Sequence, residues 1–393
     1  MKDIIQLEKK YVLQTYTRYP VILEKGSGVY VYDNKGKAYL DFMAGISVNN
    51  LGYADKGVLN VIRSASKKLV HTSNLFYTEP QVKLAEKISG LTNKGKVFFA
   101  NSGAEANETA IKIARAYGNS FKSPKQKIIT LQKSFHGRTL ATVFATGQEK
   151  YQKGFEPKIK GFQYARVNDI KSIKHLVDKQ TCAIMIEFVQ GEGGVNVLDE
   201  DFVKNINELC KKHRIILIAD EVQTGFGRTG KMFAFEHYRI IPDIVTMAKS
   251  IASGLPMGAV AIKNKFVKYL KKGMHASTFG GGYLISTVAL YNLEKIANDD
   301  FLIRVKVISD YFYKKLLELK NEFSIIKNVR GIGLMLAVEL NGKASPLVSK
   351  ALEKGLIVNG IQNNILRFLP PLIIEKTHVD QAVGILKEVF KGK

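Results

Sequence analysis

The chain has 393 residues, 46% of them hydrophobic and 24% charged, with 33 glycines against 9 prolines. That balance excludes a disordered or fibrous chain and provides for one large domain plus a smaller one. The net charge of +24 permits a nucleic-acid or membrane-surface partner, but the lysines are dispersed, without a basic block or interleaved aromatics, so neither partner is expected; a solvated basic surface that also attracts anionic substrates is.

The opening stretch MKDIIQLEKKYVLQTY mixes charges with apolar residues, and nowhere does an apolar run reach bilayer-spanning length. A cytoplasmic location is expected. Residues 28–42, GVYVYDNKGKAYLDF, alternate around the turn DNKG and predict an antiparallel hairpin. From about 58 to 275 helical patterns at 58–70, 104–117 and 199–213 alternate with short apolar runs at 96–101, 127–131, 183–188, 214–220, 243–247 and 258–263. Such runs suit a mainly parallel sheet covered on both faces, which makes the large domain α/β. Beyond 283, helices at 283–298, 301–320 and 377–390 accompany strands at 332–340, 356–360 and 364–370, the pattern of an α+β unit. The expected division is a segment 1–50 that joins the smaller domain, a large domain 51–282 and a small domain 283–393. Cys182 and Cys210 sit in apolar-patterned segments without a CxxC or histidine neighbour, so inert thiols and no metal site are expected.

In an α/β sheet, ligands bind at the carboxyl ends of the strands, and four such places hold polar residues. In FFANSGAEANE the strand ends at Asn101, and Ser102, Gly103 and Ala104 lead into a helix; this is either a phosphate seat or a capped tight turn. In IILIADEVQTG an apolar run ends in Asp220, a carboxylate that needs a metal ion, a basic group or a protonated heterocycle unless it caps a helix. Lys249 closes DIVTMAK among apolar and small residues, as a desolvated nucleophile or a snorkelling cation. In SFHGRTL, Phe135 could stack on a flat ring and Arg138 grip a carboxylate, unless both are plain loop residues. GFGRTG at 225–230 matches G-x-G-x-x-G, but DEVQT separates it from the strand and no helical period opens after it, so no dinucleotide site is expected. One ligand satisfies all four places: pyridoxal 5'-phosphate, with its phosphate, pyridinium nitrogen, aldehyde and ring face.

With those residues in view, the sequence resembles the class III (subgroup II) pyridoxal-phosphate-dependent aminotransferases, nearest their acetylornithine-acting branch, over almost its whole length. The words that carry the likeness are HTSNLFYTEPQ, NSGAEANETAIKIAR, FHGRTLAT, QGEGG, ADEVQTGFGRTG, AKSIASGLPMGA and STFGG. The resemblance implies a fold-type-I transferase, with the small domain built from both termini. It implies that Lys249 bonds the cofactor's aldehyde and later acts as general base, and that Asp220 keeps the pyridine nitrogen protonated. By the same resemblance Val222 would lie on the ring, Gln223 near the phenolic oxygen, and Phe135 would stack on the ring. Ser102, Gly103 and Ala104 hold the phosphate, which Thr278 reaches from the partner subunit of a homodimer with shared sites. Arg138 takes the substrate α-carboxylate and Ser277 sits near the substrate. Glu192 and Arg367 form a pair that opens when a dicarboxylate needs the arginine.

The implied reaction moves the δ-amino group of N2-acetylornithine to 2-oxoglutarate in arginine biosynthesis, by a ping-pong cycle. Ornithine, succinylornithine, N-succinyl-diaminopimelate and 4-aminobutyrate are the alternative donors. A non-catalytic nucleic-acid-binding role would predict loss of Lys249 or Asp220, and both are present. The chain departs from the family at Gly282-Tyr283, where Asn-Pro is usual, and at Phe188, where proline is common.

Overall fold

The computed structural model describes residues 3–391. A seven-stranded sheet lies at its centre, in the order Lys96–Ala100, Gly258–Ile262, Ile244–Met247, Ile216–Asp220, Thr181–Ile186, Lys127–Leu131, Phe162–Ala165. Neighbours pair in parallel except around Gly258–Ile262, which runs antiparallel to both of its partners. The sheet is therefore mixed but mainly parallel, as the alternating pattern predicts.

Five of these strands are buried at every position, which is why they read as mainly apolar runs without alternation. Alternate residues nonetheless serve different layers. Ile129, Ile184, Leu217 and Val245 face one core, packed by Leu84, Phe202, Ile206 and Leu293. Ile128, Met185, Ile218 and Ile244 face the other, packed by Ala110, Ile113 and Tyr117 of the helix Gly103–Asn119. Each fully buried large aliphatic side chain contributes about 1.5–3 kcal/mol against exposure. Apart from the reversed Gly258–Ile262, the strands run in one direction, so their carboxyl ends lie on one edge.

A second sheet is antiparallel, ordered Ile326–Ile332, Met335–Leu340, Ile365–Phe368, Asn359–Ile361. The helices Asp299–Glu322, Ser345–Glu353 and Lys376–Lys391 share its core. Near the amino terminus Leu23–Ser27, Tyr30–Asp33 and Ala38–Asp41 form a meander, and Ala38–Asp41 pairs in parallel with Leu356–Ile357. The amides of Leu40 and Phe42 donate to Gly355 and Ile357 at 2.8 and 2.9 Å. Both ends of the chain thus build the smaller α+β part.

The structure corrects several expected elements. Residues 356–360 are not one strand: the chain breaks at Val358, and Asn359–Ile361 joins the second sheet. The run at 332–340 turns at Gly333, leaving Ile326–Ile332 and Met335–Leu340 as partners. The helix Glu79–Leu91 and the edge strand Phe162–Ala165 were not expected; both mix polar and apolar residues too evenly to show a clear period. Among the described residues no helix is long and apolar enough to cross a membrane.

Candidate active site

Five loops leaving the carboxyl ends of the central strands enclose a cavity of about 390 Å³. The reversed strand Gly258–Ile262 places its amino end on the same edge, so Leu255, Pro256 and Met257 complete the wall.

Ser102, Gly103 and Ala104 form one side. Ser102 caps the helix Gly103–Asn119 by accepting the amide of Glu105 at 3.2 Å. The two readings of this segment are therefore compatible. A cap leaves other first-turn amides unpaired, and the helix dipole favours an anion beside them. Gly103 is required by close approach: a Cβ there would lie 2.7 Å from Val222.

Asp220 is buried opposite that helix end. Its Oδ2 accepts from Asn107 Nδ2 at 2.8 Å and lies 2.7 Å from His136 Nδ1; its Oδ1 accepts the Val222 amide at 3.0 Å. Burial alone would lower the His136 pKa, but its hydrogen bond to Asp220 and the charges of Asp220 and Glu187 raise it. Glu187 lines the cavity too and accepts the amide of Phe135 at 2.9 Å. Burial pushes its carboxyl up to about 7.

Lys249 lines the same cavity two residues past the strand Ile244–Met247, which ends where the apolar run at 243–247 predicts. Its φ of 49° lies in the left-handed region, uncommon for a side chain with a Cβ and a cost of about 1 kcal/mol or more. Asn292, fully buried, fixes this turn by donating to the carbonyls of Ser250 and Ile251 at 2.7 and 3.1 Å. Burial pushes the Lys249 amine down to about 8, against the opposing charge of Glu192.

Phe135, Arg138, Val222, Gln223 and Glu192 line the remaining wall. The exposed Arg138 guanidinium lies 4.1 Å from the Tyr151 ring centre, and among the described residues no carboxylate forms an ion pair with it. Arg367 stands behind the wall, donating to Glu192 at 2.6 Å. Ser277 and Thr278 are not brought into the cavity wall: Ser277 accepts from Asn101 at 3.1 Å, and Thr278 borders a separate cleft with His71 and Tyr283. Phe188 is buried and stacks on Tyr238 with ring centres 5.2 Å apart. Gly282 caps the helix Tyr283–Ile296.

Sequence reasoning missed Glu187, Asn107 and His136 as neighbours of Asp220. Glu187 carries the signal that marked Asp220, a carboxylate ending an apolar run. Asn107 carries another, a polar residue in the buried stripe Ala106, Ala110, Ile113.

A family model described as Aminotransferase class-III matches residues 11–390. The chain belongs to the class-III aminotransferases. This aminotransferase is 49% identical over 389 residues to the acetylornithine aminotransferase of Methanocaldococcus jannaschii, covering 98% of this chain and 97% of that one. It is 46% identical to the acetylornithine aminotransferase of Caldanaerobacter subterraneus, covering 98% and 99%. Among solved structures, the ornithine aminotransferase of Toxoplasma gondii superposes with a TM-score of 0.95 at 30% identity, covering 99% and 94%.

Class-III aminotransferases depend on pyridoxal phosphate, and the residues of this cavity fit that group. The aminotransferase sets a low-pKa amine, a buried carboxylate and a helix amino terminus around one space. Each matches a different functional group of the cofactor.

Proposed function

We propose that this aminotransferase transfers the δ-amino group of N2-acetylornithine to 2-oxoglutarate, giving N-acetylglutamate 5-semialdehyde and glutamate in arginine biosynthesis. The observation that carries this reading is the 2.6 Å contact of the buried Arg367 with Glu192 at the wall of the Lys249 cavity. A site that alternately takes an acylated amine donor and a dicarboxylate needs a cation that can be covered and uncovered. The choice of acetylornithine is supported by the names of the curated relatives.

Pyridoxal phosphate, when bound, supplies an aldehyde that captures the amine and a protonated ring that accepts the electrons of a breaking C–H bond. The amides of Gly103 and Ala104, with the Ser102 side chain, would hold the phosphate. Asp220 would hold the proton on the ring nitrogen, and Phe135 and Val222, both in the cavity lining, would pack on the ring. Gln223 would stand near the phenolic oxygen. Lys249 Nζ would bind the cofactor's aldehyde, and its amine, kept partly neutral by burial, would serve as the base that moves the proton away from the substrate carbon. Arg138, free of an ion pair among the described residues, would take the α-carboxylate.

The same reading includes a cytoplasmic homodimer in which Thr278 reaches the phosphate of the partner's site. Leu75, Phe76, Tyr77 and Phe279, exposed by 87%, 68%, 98% and 62%, supply an apolar face of the kind a second copy covers. A steady-state comparison of acetylornithine with ornithine, succinylornithine, N-succinyl-diaminopimelate and 4-aminobutyrate tests the donor. Acetylornithine should give the highest kcat/KM; a higher value for another donor overturns the assignment.

A further inference from the structure

Arg367 is held on two sides by partners of different charge. Nη1 donates to the Glu192 carboxylate at 2.6 Å and to Gln223 at 3.3 Å, while Nη2 donates to the neutral Oδ1 of Asn359 at 2.6 Å. Asn359 stands directly opposite Arg367 in the antiparallel pair of Asn359–Ile361 with Ile365–Phe368. Strand register, rather than a loop, therefore sets their separation.

The turn between these strands reaches Glu192 as well. Gln362 Nε2 donates to the Glu192 carbonyl at 2.6 Å and to Gln148 at 3.1 Å. The main chain of Glu192 is thus pinned to the hairpin that carries Arg367, and its side chain is the part left to turn away. Arg367 is 1% exposed and its Nε has no partner among the described residues. Once Glu192 turns, a buried guanidinium needs another fixed acceptor to stay aimed at the cavity. That acceptor must not neutralise the charge it presents.

We propose that Asn359 is a positioning residue for the dicarboxylate substrate: a neutral acceptor that keeps Arg367 in place, with its charge uncompensated, when Glu192 swings aside. The distal carboxylate of a five-carbon dicarboxylate then meets an aimed cation. The inference rests on the reading of Arg367 and Glu192 given under the proposed function.

The test is titration of the purified holoenzyme with glutarate, a dicarboxylate without a keto group, and with valerate, which has the same carbon chain and one carboxylate. Binding is read from the absorbance of the bound cofactor, in the parent, Asn359→Asp, Asn359→Ala and Arg367→Gln. Asn359→Asp keeps the acceptor and the side-chain size but adds a negative charge. It should weaken glutarate about tenfold, the lower end of the value of a hydrogen bond to a charged group, and leave valerate unchanged. Asn359→Ala should weaken glutarate less, through lost aim alone. Glutarate affinity within twofold of the parent in both Asn359 variants, or equal losses for glutarate and valerate, overturns the proposal. Unchanged glutarate binding in Arg367→Gln would instead remove the underlying role of Arg367.

Discussion

Nδ1 of His136 lies 2.7 Å from Oδ2 of Asp220, and both side chains are buried. The pair joins two loops 84 residues apart, and Asn107 adds a second donor to the same oxygen. Burial would lower the His136 pKa, but the hydrogen bond and charge of Asp220 raise it, so the carboxylate proposed to hold the ring nitrogen is itself held by the His136 ring. Replacing His136 by Phe strips that support, at about 1–3 kcal/mol for a lost hydrogen bond to a buried charge. We expect kcat to fall by about tenfold or more, with His136→Gln, which keeps a donor, falling less. Stopped-flow measurement of each half-reaction decides this; equal rates in all three proteins would leave the contact structural.

Lys249 yields a pH prediction with a definite sign. With its pKa pushed down to about 8, about one in ten side chains is neutral at pH 7, against about one in a few thousand for an ordinary lysine. Only the neutral amine attacks an aldehyde. The rate at which apoprotein recombines with pyridoxal phosphate should therefore rise through pH 8 and level off above it. A rate that climbs only near pH 10 would show that burial does not activate this lysine. Borohydride reduction of the holoenzyme followed by peptide mapping should place the pyridoxyl label on Lys249.

Burial would raise the Glu192 carboxyl, but the charge and hydrogen bond of Arg367, with the charges of Lys249 and Lys150, together hold it below its usual range. Glu192→Ala leaves Arg367 permanently uncovered, with Asn359 and Gln223 as its remaining contacts. The variant should bind 2-oxoglutarate more tightly by about 1 kcal/mol, roughly fivefold, and should discriminate less well between acetylornithine and glutamate as donors. Half-reaction titrations with both amino acids measure this. Unchanged discrimination would mean that the pair does not gate the site.

The central sheet was legible because strands buried on both faces need mainly apolar runs without alternation, as at Ile216–Asp220 and Lys127–Leu131. Asp220 and Lys249 stood out for the same reason: each is a charge at the end of such a run. The Phe162–Ala165 strand, at the sheet edge and only partly buried, lacks that signal. Asn359 was invisible because LIVNG has no mark at Val358 to divide it between two sheets. Its contact with Arg367 depends on strand register, and that of His136 with Asp220 on the packing of distant loops. Neither is local information.

Arg228 shows how the GFGRTG segment serves the fold. Its guanidinium is fully buried and donates to Ser47 at 2.9 Å, Asn50 at 2.7 Å, and the carbonyls of Leu334 and Pro370 at 3.0 and 2.6 Å. Residues from the amino-terminal segment and from the second sheet region thus converge on one cation beside the loop of Asp220. Burial pushes its pKa down to about 9, with the charge of Asp41 opposing. Arg228→Ala would leave these acceptors unpaired in the interior, each at about 1–3 kcal/mol before relaxation. We expect a fall in Tm of several degrees and a weaker hold on the cofactor, because Ser47 also donates to the carbonyl of Gln223 in the cavity wall. Arg228→Lys, with one ammonium in place of a planar fork, should recover only part of the loss. Calorimetric unfolding of the apoprotein and holoenzyme separates the two effects: the apoprotein drop reports the lost fold contacts, and any additional drop in the holoenzyme reports the disturbed site. An unchanged apoprotein Tm in Arg228→Ala would show that the four contacts contribute no net stability.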